Sequence, residues 1–170
     1  MRRIAKADAL ARLADEGAGC AMCRIVDDAE RIAESAHAVA VLDRYAARPG
    51  HVLVVLRTHV ERIAALAWDA YADLQRLAWE LTRALDDELA PRRVYVAALG
   101  SAAQLATSFP HVHLHLVPLT DGGEPDRPAG VFTWEHGMYV FDTHDEERAL
   151  RDRLRAAVTR VRAPASDSAR

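Results

Sequence analysis

The eight residues from His111 to Pro118, HVHLHLVP, constrain this chain more than any other stretch. Side chains of a strand point alternately to its two faces. His111, His113 and His115 therefore share one face, and Val112, Leu114 and Leu116 share the other. The aliphatic face can pack on a core. The imidazole face has no structural use, because a buried imidazole loses water and needs partners for both ring nitrogens. The chain has 8 histidines in all, and three of them alternate here. A half-exposed strand with chance histidines is the weaker reading.

A chain of 170 residues is long enough to bury a real core. The expectation is one domain over residues 1–163 followed by a disordered tail at 164–170. A net charge of −3 offers no basic field for nucleic acid. The first residues, MRRIAKADALARLADEG, break their apolar positions with Lys6, Asp8, Arg12 and Asp15. That pattern is an amphipathic helix, not a signal peptide. No apolar run reaches membrane-spanning length, so the expected location is cytoplasmic. The 2 cysteines, Cys20 and Cys23, form a single C-x-x-C. In a reducing compartment this spacing points to metal binding or redox work before a lasting disulfide.

Along the chain, Arg3 to about Ala14 reads as a helix stopped by Gly17 and Gly19. Residues 24–33 are ambiguous between a short helix and the start of a hairpin. HAVAVL, ending before Asp43, and HVLVVL, beginning at His51, read as strands, the second covered on both sides. Glu61 to Leu66 opens a helical region. Asp69 to about Leu89 reads as one long helix, with Asp69 at the N-cap and Leu74, Leu77, Leu81, Leu85 and Leu89 as its buried stripe. VYVAAL is a strand, and Gly100 to Pro110 is a loop of small residues. VFTW and MYVF flank Glu135-His136-Gly137 and suggest a hairpin. Thr143 with Glu146 fits a capping box opening a last helix to about Val161. Trp68 and Trp79 read as packing residues. Trp134 is a candidate to fold over the histidine face, and His37, His136 and His144 read as surface or turn histidines. Hairpin strands with a few helices and no βαβ alternation make the fold class α+β with an antiparallel sheet.

With these motifs in place, the chain resembles the histidine triad (HIT) superfamily of nucleotide hydrolases and transferases. HVHLHLV fits its His-apolar-His-apolar-His pattern. C-x-x-C, Asp43 closing a strand, Pro49-Gly50-His51 leading the next, and His59 after it occur in family order. The resemblance covers about Cys20 to Pro118. It implies a HIT-like antiparallel sheet meander with a long helix and a C-terminal helix, and a homodimer that extends the sheet.

The resemblance also implies attack on a nucleotide α-phosphorus. His113 is then the nucleophile, since a neutral imidazole has a lone pair free near pH 7, and the intermediate is a nucleotidyl-histidine. His115 hydrogen-bonds the phosphate or protonates the leaving group. Ser108 and Thr107 face the phosphate oxygens, Asp43 with Leu42 meets the ribose, and His51 orients its neighbours. On the residues alone, Asp43 reads equally as a turn former and His51 as a solvated histidine after a Pro-Gly turn. The zinc-bearing branches imply a structural zinc on Cys20, Cys23, His59 and His111, a suitable tetrahedral donor set. A redox C-x-x-C or two small buried hydrophobes remain alternatives.

The chain departs from the family before the triad. Typical members carry Gly-Gln shortly before it and an Asn further upstream; here Thr107 stands at the Gln position, with Gln104 three residues too early, and Gly100 or Leu99 stands near the Asn position. A non-catalytic nucleotide-binding module and a metalloprotein using His111, His113 and His115 together are therefore the rival readings.

Overall fold

The computed structural model describes residues 1–15, 19–100, 109–120 and 127–163. Thr107, Ser108 and Gln104 lie outside the described residues, as do Gly17 and the tail at 164–170.

A five-stranded antiparallel sheet carries the histidines. Its strands are β2 (Ala33–Glu34), β3 (Ala38–Leu42), β4 (Val52–Leu56), β5 (Arg93–Ala97) and β6 (His113–Leu119), in the spatial order β2-β3-β4-β6-β5. β6 thus lies inside the sheet, with Leu53 opposite His115 and Val55 opposite His113 on β4. Both β4 and β6 are buried along their whole length. That agrees with the apolar run of β4 and forces every imidazole on β6 out of bulk water.

One face of the sheet packs on α3 (Trp68–Leu89) and α5 (His144–Arg162). Val112, Leu114 and Leu116 enter this core, as the alternation requires, and meet Leu74, Leu77, Leu81 and Leu85 of the predicted stripe. Leu81 is fully buried, so truncating it to Ala would cost about 2–5 kcal/mol. Asp73 is itself buried and accepts from the His37 backbone N–H at 2.8 Å, fastening α3 to the start of β3. Helix α3 ends where Ala90 turns left-handed at φ 44°, one residue before Pro91. Helix α5 opens as the capping motif predicts: Thr143 Oγ1 accepts from the Glu146 N–H at 3.1 Å.

The opposite face carries His113 and His115. It is covered by α2 (Ala21–Asp28), which packs Met22 and Val26 on Val39, Val41, Leu53 and Val55. Residues 24–28 therefore resolve as the end of a helix, and Ala33 opens the β2–β3 hairpin. Further along β6 the cover comes from α4 (Pro128–Phe132) and a two-stranded sheet of β1 (Arg2–Ile4) with β7 (Met138–Val140).

Several expectations are corrected. The VFTW–MYVF hairpin does not form. Pro128 starts a short helix with its missing N–H at the first turn, and MYV pairs with residues near the N-terminus instead. That pairing shortens the first helix to α1 (Lys6–Asp15). Helix α3 is capped by Ala67 without a side-chain bond, so Asp69 lies in its first turn, where its charge suits the helix dipole. Trp68 and Trp79 are not packing residues; they are 77% and 56% exposed. Among the described residues no helix is long and apolar enough to cross a membrane.

Candidate active site

His113 stands on β6 with both ring nitrogens engaged. Its Nδ1–H donates to the His111 carbonyl at 2.6 Å. That bond fixes the tautomer and leaves a lone pair on Nε2. Nε2 lies 3.1 Å from Nε2 of His115. His115 Nδ1 lies 3.1 Å from Nε2 of His51, and His51 Nδ1 lies 3.0 Å from Oδ2 of Asp43. Asp43, at the end of β3, also accepts from the Tyr45 N–H at 2.9 Å. The result is one continuous chain, Asp43–His51–His115–His113, crossing from β3 to β6.

Hydrogen-bond accounting along this chain assigns its protons. The lone pair of His113 Nε2 needs a donor, so His115 Nε2 carries hydrogen. The Ala47 N–H donates to His51 Nδ1 at 3.1 Å, so the hydrogen of His51 sits on Nε2 and is donated to His115 Nδ1. Asp43 Oδ2 flanks the same edge of the His51 ring.

The electrostatics agree. Burial opposes ionisation of Asp43, yet the adjacent His51 and the Tyr45 N–H together hold its carboxyl below the usual range. Burial lowers His113, against the pull of its bond to the His111 carbonyl. Burial, and then the neighbouring His51 and His113, hold His115 well below an ordinary imidazole. His113 and His115 therefore stay neutral at pH 7.

A second cluster lies beside the first. Cys20 at the N-cap of α2, Cys23 in its first turn, His59 after β4 and His111 before β6 bring their ligand atoms within 4.8 Å of one another. Cys20 Sγ is 3.4 Å from His111 Nδ1, Cys23 Sγ is 3.4 Å from His59 Nδ1, and Cys23 Sγ is 3.6 Å from His111 Nδ1. Tetrahedral bonds of about 2.3 Å to sulfur and 2.0 Å to nitrogen set a sulfur–nitrogen edge of about 3.5 Å. The donors already stand at that spacing. His111 Nε2–H donates to the Leu56 carbonyl at 2.7 Å, which turns the Nδ1 lone pair to the cluster, as a metal-ligating histidine requires. The four residues fit a metal ion. His113 belongs to no such cluster among the described residues, and His111, His113 and His115 do not converge on one point.

A cavity of about 740 Å³ opens on the histidine face. Its walls include Met22, Ile25, Asp43, His113, His115 and Trp134. Leu42 borders it too, although its side chain belongs to the core on the other face. The resemblance made His51 an orienter of its neighbours; its place between Asp43 and His115 comes from the structure.

The HIT domain family matches residues 24–122. The chain is 29% identical over 103 residues to the adenosine 5'-monophosphoramidase of Schizosaccharomyces pombe, covering 58% of this chain and 73% of that protein. A hypothetical histidine triad nucleotide-binding protein from Sulfolobus tokodaii superposes with a TM-score of 0.66 at 20% identity, over 88% of this chain and 98% of that one. A zinc-bound histidine triad family protein from Mycobacterium smegmatis gives 0.64 at 23% identity, over 84% and 95%. At these identities the two structures establish the shared α+β fold.

Proposed function

The chain belongs to the HIT domain family, and from that premise we propose that it is a nucleotide hydrolase or nucleotidyltransferase working through a covalent intermediate on His113. The observation that carries the reading is the bond from His113 Nδ1–H to the His111 carbonyl, which leaves the ring's lone pair on Nε2, beside Nε2 of His115. Nε2 attacks the α-phosphorus, and the bond from phosphorus to the leaving group breaks. His115 Nε2–H hydrogen-bonds the departing atom, which takes its proton from water as it leaves. The positive charge on the nucleotidyl-imidazole is met by the His111 carbonyl at Nδ1. Water then attacks phosphorus, the bond from phosphorus to His113 Nε2 breaks, the proton of that water goes to solvent, and a nucleoside monophosphate leaves. Splitting the displacement in two lowers each barrier.

Asp43 has a lone pair left for a ribose hydroxyl and is the ribose ligand in this reading, with Leu42 at the edge of the same pocket. Thr107 and Ser108 complete the phosphate contacts. The metal is zinc, held by Cys20, Cys23, His59 and His111. It supplies a structural cross-link between α2 and the approach to β6. The active unit is a homodimer joined at the edge strand β5, where Val96 and Leu99 are exposed.

The test is hydrolysis of adenosine 5'-phosphoramidate and of dinucleoside polyphosphates by the purified chain, beside His113→Ala. Turnover by the wild type, none by the variant, equal zinc in both and an adenylylated His113 in intact mass spectra are expected. Hydrolysis by neither protein refutes the enzyme. Nucleotide affinity without turnover favours the non-catalytic binding module instead.

A further inference from the structure

His113 borders two cavities. The larger is the one walled also by Asp43 and His115. The smaller, of about 240 Å³, opens between the segment after β4, the end of β5 and the approach to β6. Its wall includes Glu61, Arg62, Gly100, His111 and His113.

Two features of that wall point to a ligand. At Gly100 the wall is hollow: φ is +72°, and a Cβ built there would meet nothing within 4 Å. Typical relatives carry an asparagine near this position, and here glycine leaves the room without the donors. The second feature is charge. Arg62 is exposed, and among the described residues its side chain has no ion-pair or hydrogen-bond partner. A guanidinium stays charged at any working pH and matches phosphate oxygens in its fork of donors. Glu61 is engaged elsewhere, with its carboxylate 3.9 Å from His59 Nε2.

In-line attack by His113 Nε2 expels a group on the far side of phosphorus, and that group takes the electron pair of the broken bond. With the nucleoside in the larger cavity, the smaller one is the space left for what departs. Its volume lies below the roughly 300 Å³ at which small-molecule pockets begin. It therefore suits one or two phosphate groups rather than a second nucleoside. The imidazoles bring no cation to the departing charge, since burial keeps His113 and His115 neutral at pH 7.

We infer that the small cavity is the leaving-group site and that Arg62 binds the phosphate expelled there, so that the favoured leaving group is a phosphate or phosphate ester rather than an amine. The inference rests on the nucleotide reading above. Charge on the leaving oxygen grows as its bond to phosphorus breaks, so the contact with Arg62 strengthens in the transition state.

The test compares diadenosine tetraphosphate with adenosine 5'-phosphoramidate, which share the adenylyl group and differ in what departs. Both are turned over by the full-length wild type and by Arg62→Ala, with Tm measured on each protein. The ratio of kcat/KM for the tetraphosphate to kcat/KM for the phosphoramidate should fall roughly 10- to 100-fold in the variant, the loss of one hydrogen bond to a charged group. Arg62→Lys should recover part of the ratio. An unchanged ratio overturns this inference alone, whether both rates fall or neither does. So does a wild type that hydrolyses the phosphoramidate and not the tetraphosphate. Turnover of neither substrate by the wild type overturns the enzyme reading, and this inference with it. If Arg62→Ala does not fold, Arg62→Gln decides by the same ratio.

Discussion

Removing the metal should loosen the chain by an amount that its connectivity sets. The cluster of Cys20, Cys23, His59 and His111 joins the start of α2, the segment after β4 and the approach to β6. The loop between Cys20 and His59 holds roughly 40 residues, and a cross-link over such a loop removes about 4 kcal/mol of entropy from the unfolded chain. A protein of this length shifts its Tm by about 2–4 °C per kcal/mol. The ceiling is then roughly 16 °C, and metal binding by cysteines of the unfolded chain lowers it. A fall of about 5–15 °C is expected on chelation. The assay is calorimetric melting of chelated and zinc-reloaded protein, with metal content measured on the same samples and Cys23→Ser as the genetic counterpart. His113 Nδ1 donates to the carbonyl of His111, one of the four residues that would hold the ion, so kcat should fall along with Tm. Equal melting temperatures for samples that differ in metal content would refute the reasoning, because an ion that bridges these segments cannot leave without releasing them.

Other outcomes follow from the same geometry. His51→Gln breaks the link between Asp43 and His115, so kcat should drop about 10- to 100-fold at nearly constant KM; steady-state kinetics that show an unchanged kcat would sink the hydrogen-bonded chain. Because burial holds His115 well below an ordinary imidazole, the unfolded chain takes up its proton first as pH falls. Stability is then full above about pH 6.5 and declines below it. Asp43, with its folded carboxyl held down, adds stability above about pH 3.9 that is lost as pH falls through its lower folded value. Melting curves between pH 4 and 8 should show a shallower acid limb for His115→Gln than for the wild type. Gly137 has φ +90°, and a Cβ there would lie 2.4 Å from the Ile4 carbonyl. Gly137→Ala should therefore cost more than about 1 kcal/mol, read as a lower Tm and faster proteolysis at the N-terminus.

Much of the sheet was legible because its strands obey a strict period. HVHLHLV sends its aliphatics to the α3 core, and the leucine stripe of α3 needs only the helical repeat to be seen. Local signals failed where a distant partner decided the outcome. MYV is as good a strand beside VFTW as beside RRI, and the choice of RRI came from the N-terminal segment reaching across to it. Trp68 and Trp79 look like core residues by type, yet they lie on the exposed side of α3.

What the sequence determined by itself was a set of chemical capacities: an imidazole row on one face, a pair of thiols three residues apart and a carboxylate closing a strand. Those follow from residue type and short-range geometry, which travel with the chain in any fold. The tertiary structure decided which capacities meet. It set His51 between Asp43 and His115, turned His111 toward the two cysteines, and brought the Trp134 ring edge-on to His115. A hydrogen bond or a ligand bond acts over about 2–3 Å, and such separations depend on long-range packing that residue order along one strand does not encode.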